Sequence, residues 1–322
     1  MTVTIASLAD GMMVDGLNVL VAEKRVGTAK NGKQYGDLVV RDKTASIKCK
    51  IWDFQDSPVS PVKAGSVIRI SGKVGAFAGE LQFTISTIGE GTGNPQEFAK
   101  TSRFDINLMT EKIHKVIDDF TEPMTKYVAK NLTCWEIFKQ APAAIKMHNA
   151  WYGGLVEHIY SMLANSLPVI KHYQIYAPKL SADKVRFGII AHDVGKMYEY
   201  SYSTPAFGMS PQGLLCNHLV TGPCMVFELC NKWFKEQNKQ YDTPEFIKER
   251  DHLVHIVASH HGTLEFGSPV VPSTLEAVLV HQFDMLDSKF MHALELTEGK
   301  EGQVPGFSER SWAEKTSYML YK

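Results

Sequence analysis

The sequence predicts a chain of two domains, a small closed β-barrel followed by an all-helical domain. Three observations support this prediction. The first part of the chain alternates β-forming side chains between turn residues, a Gly-rich polar stretch follows, and apolar residues then recur at helical spacing. With 322 residues and 44% apolar content, the chain is long enough to bury two hydrophobic cores.

The first domain, residues 1–92, contains short runs of side chains that are typical of strands. The clearest runs lie at 17–22, 36–40, 45–52 and 67–72. Asn31-Gly32 and Ala78-Gly79 are typical of hairpin turns. Five short strands with this punctuation predict a closed barrel, and the oligonucleotide-binding (OB) barrel is the expected form of so small a barrel in the cytosol.

The second domain, residues 105–322, follows a Gly-rich polar linker that we place at 93–104. Apolar residues at helical spacing predict helices over 106–128, 155–170, 184–192, 216–235, 244–260 and 274–296. Pro123 permits a kink or break in the first of these helices. Ser181 and Thr243-Pro244 are typical of helix N-caps and first turns.

Composition limits the cellular environment and the partners that we expect for the chain. Lys plus Arg (34) nearly equals Asp plus Glu (35), so any basic surface must be local. The five cysteines form no CxxC pair, which argues against a disulfide framework or a zinc ribbon. Residues 1–6 lack a basic region followed by an apolar run, and the sequence contains no run of about 18 apolar residues. We therefore expect a soluble, cytoplasmic protein without a membrane partner.

The barrel region has a local excess of positive charge. Residues 22–50 contain eight basic and three acidic side chains, and aromatic residues lie on or beside the strands as stacking candidates: Tyr35, Trp52, Phe54, Phe77 and Phe83. We predict a nucleic-acid-binding face made by Lys24, Arg25, Lys33, Tyr35, Lys48, Trp52 and Phe54. The alternative is that most of the aromatic rings fill the barrel core and the lysines are merely solvated.

A cluster of metal-ligating side chains marks the second domain. The apolar run at 188–191 delivers His192-Asp193, an imidazole next to a carboxylate that could bridge two ions. Further candidates fall at the starts, ends or interiors of predicted helices: His158, His218, His260, His261 and Asp284. Helices that each contribute one inward ligand are how bundle folds assemble dinuclear sites.

An isolated histidine on an apolar face is more often a hydrogen-bonded structural residue. We assign that structural role to His114, His172, His252, His255 and His292, and leave His148 and His281 between the two interpretations.

Together these motifs resemble the HD-domain metal-dependent phosphohydrolases, and most closely the YhaM-type 3′-to-5′ exoribonucleases, which place an OB domain before the HD domain. The resemblance rests on the segments 148–158, 192–196, 218–222, 259–262, 267–270 and 283–287. It departs from the family at Asn149, where members often carry a second histidine, and around 204–216, which does not align.

The resemblance implies a metal site formed by His158, His192, Asp193, His218, His260, His261 and Asp284. Asp193 would bridge two divalent ions about 3.5–4 Å apart, which lower the pKa of a bound water and clamp a phosphodiester. Mn²⁺ is the expected ion, with Mg²⁺, Fe²⁺, Co²⁺ and Ni²⁺ as alternatives. Lys196, the second catalytic candidate, would contact a phosphate oxygen unless it is only a solvated lysine.

The expected function is therefore metal-dependent 3′-to-5′ hydrolysis of single-stranded RNA, or also of DNA. Two alternatives stay open. The first is a phosphodiesterase acting on a small cyclic nucleotide, which the attached barrel disfavours because a small ligand needs no stacking platform. The second is a non-catalytic adaptor that binds nucleic acid. The expected partner is single-stranded RNA or DNA, and the sequence leaves open whether the chain forms a homo-oligomer.

Overall fold

The computed structural model describes residues 3–52, 62–77, 80–145, 149–201, 207–237, 243–298, 306–311 and 313–320. The chain divides into two compact units. The first comprises Met1–Thr101 with Ser201–Gly208, and the second comprises Ser102–Tyr200 with Met209–Lys322. The division after Thr101 falls inside the segment that we predicted as the linker.

The first unit is a closed five-stranded barrel. Its strands are β1 (Met13–Thr28), β2 (Gln34–Arg41), β3 (Ser46–Trp52), β4 (Val67–Phe77) and β5 (Glu80–Glu90). They follow one another around the barrel in the order β1-β2-β3-β5-β4. The β3–β5 pair is parallel and the other pairs are antiparallel. Side chains alternate between the apolar core and the outer face, which closes the barrel around its own apolar residues.

The hairpin between β1 and β2 lies where the sequence predicts it. Gly32 has a φ of 80°, and its N–H donates to the Ala29 carbonyl at 2.9 Å. A glycine is favoured there because a side chain disfavours positive φ. The second predicted hairpin, Ala78-Gly79, lies outside the described residues, although the strands on either side pair up to Phe77 and Glu80.

The second unit is helical. Its helices are α1 (Ile106–Asp118), α2 (Pro123–Asn131), α3 (Trp135–Phe138), α4 (Gly154–Gln174), α5 (Ala182–Ala191), α6 (Lys196–Glu199), α7 (Pro211–Leu215), α8 (His218–Glu236), α9 (Pro244–Ala258) and α10 (Leu275–Thr297). A short 3₁₀ turn lies at Leu264–Phe266, and two more, Ile5–Ser7 and Pro95–Phe98, belong to the first unit. A two-stranded sheet pairs β6 (Tyr200–Ser201) with β7 (Gly208–Met209). Within the described ranges, no helix has the length and apolarity that a membrane crossing requires.

The predicted helix starts at Ser181 and Thr243 are confirmed. The Ser181 hydroxyl accepts the Lys184 N–H at 3.1 Å, and the Thr243 hydroxyl accepts the Phe246 N–H at 3.3 Å. The predicted helix over 106–128 is two helices, because Pro123 occupies the first turn of α2.

Two predicted helix boundaries are wrong. The helix predicted to begin at Cys216 begins at His218, since Cys216 closes α7 and Asn217 is the N-cap of α8. The helix predicted to reach His260 ends at Ala258. His260 and His261 therefore lie in the turn that follows α9.

Candidate metal centre

Three of the predicted ligands form a first group that could hold a metal ion: His158, His192 and Asp284. They come from the second turn of α4, the C-cap of α5 and the interior of α10. His158 Nε2 lies 3.3 Å from His192 Nε2 and 3.3 Å from Asp284 Oδ1. Both histidines are buried, whereas Asp284 is partly exposed.

A second group contains His218, His260 and His261. His218 is the first residue of α8, and the other two follow the end of α9. The Nε2 atoms of His218 and His261 lie 3.3 Å apart. The second group thus repeats the spacing of the first.

Asp193 lies between the two groups, as its predicted bridging role requires. Its Oδ2 lies 3.3 Å from His192 Nε2, and its Oδ1 lies 3.5 Å from His218 Nε2 and 3.6 Å from His260 Nε2. The carboxylate is buried, so each oxygen faces one group of ligands rather than solvent.

A glycine allows the chain to bring Asp193 against α8. A Cβ at Gly195 would lie 2.5 Å from Thr221 Oγ1 and 2.7 Å from the Cα of His218. These separations are closer than van der Waals contact, so a side chain at Gly195 would push the start of α8 away from the turn that carries Asp193. The glycine that follows the His-Asp pair is thereby explained by packing.

Each histidine is oriented by an acceptor on its Nδ1 atom. His192 and His260 donate to the carbonyls of Ile189 and Val257, at 2.9 and 2.6 Å. The other three Nδ1 acceptors are Asp287 Oδ2 for His158 at 2.7 Å, Glu199 Oε2 for His218 at 2.6 Å, and the Phe266 carbonyl for His261 at 2.8 Å. A carbonyl or carboxylate at Nδ1 assigns the proton there and leaves the Nε2 lone pair facing inward.

This donor set fits divalent cations. Lone pairs on two Nε2 atoms 3.3 Å apart repel each other unless a cation or a proton lies between them. Among the described residues, His260 Nε2 and Asp193 Oδ1 are buried and have no hydrogen-bond partner. Imidazole nitrogens together with carboxylate oxygens suit borderline first-row metal ions.

The charges of the centre follow from its surroundings. Burial by itself would raise the pKa of Asp193, but the nearby Lys196 ammonium and His192 outweigh burial and hold that pKa well below its usual range. Burial lowers the pKa of His218, His260 and His261, which keeps these rings neutral.

The first group favours positive charge at His158. Burial would lower the pKa of this ring, but hydrogen bonds to Asp284 and Asp287 outweigh burial and raise it to about 10. A divalent cation at Nε2 would supply that positive charge in place of a proton.

Lys196 is bound to the central carboxylate rather than exposed. Its Nζ donates to Asp193 Oδ2 at 2.6 Å, and the residue is buried. Burial would lower the pKa of this lysine, but Asp193 raises it above its usual value. The ammonium therefore keeps Asp193 anionic, and its predicted contact with a phosphate oxygen stays a prediction.

The sequence analysis did not identify three side chains that support the candidate ligands: Asp287, Ser161 and Glu199. Asp287 lies one turn beyond Asp284 on α10, and its Oδ1 accepts the Ser161 hydroxyl at 2.5 Å. Glu199 accepts both the ring N–H and the main-chain N–H of His218. The i,i+3 spacing of Asp284 and Asp287 was the available signal, since it places both carboxylates on one helix face.

The remaining histidines lie outside the two metal groups as far as the structure describes them. His281 donates from Nδ1 to the carbonyl of His260 at 2.7 Å and so supports the main chain of a ligand. His252 and His255 lie beside Glu276 and Ser273. His148 lies outside the described residues.

The barrel face presents only some of the predicted stacking rings. Trp52 is 57% exposed and Phe77 is 72% exposed. Phe83, predicted as a stacking candidate, is fully buried in the barrel core, so that prediction is wrong. Phe54 lies outside the described residues.

The Tyr35 ring is in contact with other residues of the barrel. The ring lies against Gly27, where a Cβ would be 2.5 Å from its Cζ, and Lys50 Nζ is 3.7 Å from the ring centroid. Among the predicted basic residues, Lys48 pairs with Glu80 at 2.6 Å, and Lys24 Nζ donates to the Val62 carbonyl at 2.8 Å. Arg25 lies near Glu23, and Lys33 is exposed at the β1–β2 turn.

Fold and site together define a two-domain protein that joins an OB-fold nucleic-acid-binding domain to an HD domain. The family model for the OB-fold nucleic acid binding domain matches residues 17–89, and the HD domain model matches residues 155–289.

Relatives match over most of the chain. The protein named 3′-5′ exoribonuclease YhaM from Geobacillus sp. strain WCH70 is 31% identical, over 94% of this chain and 90% of its own length. Proteins of the same name from Oceanobacillus iheyensis and Bacillus subtilis strain 168 are 30% and 29% identical. They match over 94% and 84% of this chain and over 92% and 83% of their own lengths. The chain belongs to the YhaM family, which confirms the resemblance predicted from its motifs.

Proposed function

We propose that this chain is a metal-dependent 3′-to-5′ exoribonuclease that hydrolyses single-stranded RNA. The observation that carries the proposal is the pair of histidine groups joined by the buried carboxylate of Asp193. The relatives are named 3′-5′ exoribonucleases, which supports the direction of hydrolysis and the choice of RNA. The OB barrel supports the single-stranded form of the substrate.

The first ion would be held by His158, His192 and Asp284, and the second by His218, His260 and His261, with Asp193 between them. We propose Mn²⁺ for both positions, since it accepts the carboxylate oxygens of Asp193 and Asp284 beside the imidazole nitrogens. The chemistry that such ions would supply is polarisation of a phosphodiester and a lowered pKa of a bound water.

The residues of the chain prepare this centre. The main-chain carbonyls and carboxylates on Nδ1 fix the rings so that their Nε2 atoms converge before any substrate arrives. Lys196 keeps Asp193 ionised in a buried position, where an uncompensated carboxylate would otherwise take up a proton. We propose that Lys196 also offsets negative charge as it develops on the phosphate.

The barrel would hold the strand. Trp52 and Phe77 offer exposed rings on which bases can stack, and the basic side chains of β1 to β3 can contact phosphates. Neither kind of contact reads the ribose 2′-hydroxyl, so we propose that DNA strands also bind. We propose a cytoplasmic location, where RNA strands are available.

Labelled single strands test the proposal. A strand labelled at its 5′ end should yield a ladder of progressively shorter labelled products in Mn²⁺, and a strand labelled at its 3′ end should release labelled mononucleotide from the outset. Chelator should stop both reactions. The Asp193→Ala variant, folded by circular dichroism, is the matched control for contaminating nuclease. Rapid cutting of a circular strand, or preferential hydrolysis of a cyclic dinucleotide, would contradict the proposal.

A further inference from the structure

Exposed apolar side chains lie in the two chain segments next to the ligands of the second metal group. Four of the five convergent histidines are buried, and only His261 among them is partly exposed. Asp284 gives the first group a second opening. A phosphodiester must therefore enter past one or both of these residues.

Two segments adjoin the second metal group along the chain. The first ends α7 with Leu214 and Leu215, which are 74% and 86% exposed and come three to four residues before His218. The second is the 3₁₀ turn Leu264–Phe266, whose Leu264 and Phe266 are 67% and 58% exposed. The Nε2 atoms of His218 and His261 lie 3.3 Å apart, so both segments adjoin the same metal group. We call Leu214, Leu215, Leu264 and Phe266 the apolar rim.

The main chain of the second segment supports the candidate ligand His261. The carbonyl of Phe266 accepts His261 Nδ1 at 2.8 Å, so its main chain is fixed beside the metal group. The Gly267 N–H donates to the Leu264 carbonyl at 3.0 Å, and the Ser268 N–H donates to the Thr263 carbonyl at 3.3 Å. Phe266 therefore projects from a turn that is closed by its own hydrogen bonds.

The first segment is fixed in a similar way. The backbone of Gly213 lies so close to Glu199 that a Cβ would be 2.2 Å from its carbonyl oxygen. Glu199 in turn accepts the ring of His218 at 2.6 Å. Each segment of the apolar rim is thus tied to a group that orients a ligand, Glu199 in the first segment and the Phe266 carbonyl in the second.

We propose that the apolar rim binds the base of the 3′-terminal nucleotide, with Phe266 as its stacking surface. This inference rests on the proposed exoribonuclease function and adds a substrate subsite to it. Every base has an apolar π-face that stacks on an aromatic ring whatever its sequence, which suits an enzyme that must accept each base in turn.

The absence of cations favours the end of the strand over its interior. Residues 207–220 and 262–275 contain no Lys or Arg. The part of the strand that leads into the centre carries one phosphate per nucleotide and is bound elsewhere through basic side chains. The terminal nucleotide brings only the scissile phosphate, which the metal centre receives, so its subsite needs apolar contact rather than positive charge.

The test follows the design of a double-mutant cycle, in which one change is made in the protein and the other in the substrate. Phe266→Ala, Phe266→Trp and unchanged protein would each be given an RNA strand with a normal 3′-terminal nucleotide, and the same strand with an abasic 3′-terminal nucleotide. Phe307→Ala is the matched control, because Phe307 is 56% exposed and lies in the carboxy-terminal segment. Circular dichroism and Mn²⁺ titration establish that each variant folds and binds metal.

Phe266→Ala should lower kcat/KM on the normal strand by about 5- to 100-fold, the range expected for the loss of one base-stacking contact. Phe266→Trp should keep most of the activity. On the abasic strand, Phe266→Ala and the unchanged protein should agree within about twofold, because the stacking partner is already missing. The loss should stay constant as salt rises, since no phosphate contact is removed.

Three results would overturn the inference: an equal loss on both strands, coupling to an abasic penultimate nucleotide instead of the terminal one, or a loss as large in Phe307→Ala. These differ from failure of the proposed function, in which the unchanged protein would release no mononucleotide from either strand.

Discussion

Asp287 provides a sharp test of how the metal centre is held, because it contacts a ligand without being one of the predicted ligands. Its Oδ2 accepts His158 Nδ1 at 2.7 Å, and its Oδ1 accepts the Ser161 hydroxyl. The carboxylate fixes the ring tautomer and makes Nε2 a stronger donor to metal. We predict that Asp287→Asn weakens metal binding while the fold survives.

The expected size follows from the contact. Removing an outer partner of a metal-bound histidine costs about 10- to 100-fold in metal affinity, or about 1.4 to 2.7 kcal/mol. Asparagine keeps one acceptor oxygen but loses the charge, and a charge-assisted hydrogen bond is about twice as strong as a neutral one. We therefore expect about a tenfold loss for Asp287→Asn and about a 100-fold loss for Asp287→Ala.

Calorimetric titration of Mn²⁺ into metal-free protein measures this affinity directly, and the rise in melting temperature with added Mn²⁺ measures it independently. Glu276→Gln is the matched control. Glu276 is also a buried carboxylate beside a histidine, His252 at 3.2 Å, but neither residue belongs to a metal group. The control should lose stability and keep its metal affinity.

A Mn²⁺ affinity within twofold of the unchanged protein in a folded Asp287→Ala variant would refute the reasoning. It would mean that packing alone orients His158 and that the carboxylate contributes nothing to the ligand. An equal loss of affinity in Glu276→Gln would mean that the measurement reports general destabilisation instead.

Three further predictions follow from other parts of the chain. Asp193→Ala and His192→Ala should each abolish hydrolysis and leave the helical signal in circular dichroism unchanged, because these side chains serve the ions rather than the apolar core; substantial activity in folded Asp193→Ala would remove the bridging role. Trp52→Ala should weaken binding of long strands by about 5- to 100-fold, measured by fluorescence anisotropy, whereas very short strands should be cleaved as before. Glu276→Gln should destabilise the fold by about 2 kcal/mol near neutral pH, less than the full pKa shift would give because solvent screens part of it. Burial by itself would raise the pKa of Glu276, but His252 and the Ser181 N–H lower it from 4.5 to about 2. The stability difference should therefore be complete above pH 4.5 and shrink as pH falls towards 2 in urea unfolding series; a difference that is constant with pH would contradict it.

The sequence predicted the elements whose signals are local. Hairpin chemistry at Asn31-Gly32 and the caps at Ser181 and Thr243 each depend on a few neighbouring residues, and each is confirmed. The candidate ligands could also be proposed from the sequence, because His192-Asp193 and His260-His261 are adjacent pairs at or just beyond the ends of helices. The resemblance of the motifs to a known family then completed the set of candidate ligands.

Two features could not be predicted from the sequence: the register of the strands, and the contacts between helices that are far apart in the chain. Phe83 and Trp52 are both aromatic residues on strands, yet the register of the barrel turns the first into the core and leaves the second in solvent. Asp287 and Glu199 acquire their roles only because α10 meets α4 and α6 meets α8. No spacing in the sequence encodes those meetings.

The hydrogen-bond acceptors of the histidine Nδ1 atoms are of two kinds, some set by the local chain and others by distant elements. His192 and His260 are each oriented by a carbonyl three residues earlier in the chain, so the end of a helix suffices to direct the ring. His158 and His218 instead depend on carboxylates of other elements, Asp287 on α10 and Glu199 on α6. His261 is also oriented locally, by the Phe266 carbonyl, so each metal group contains histidines of both kinds.

This pairing has a physical consequence for how the site forms. A locally oriented histidine needs only its own chain segment to direct its ring, whereas His158 and His218 need a second element to dock. A metal ion that binds histidines of both kinds therefore stabilises the docked arrangement, by the difference between its affinities for the docked and undocked forms. The ions should consequently stabilise the packing of α4 on α10 and of α6 on α8 more than they stabilise any single helix.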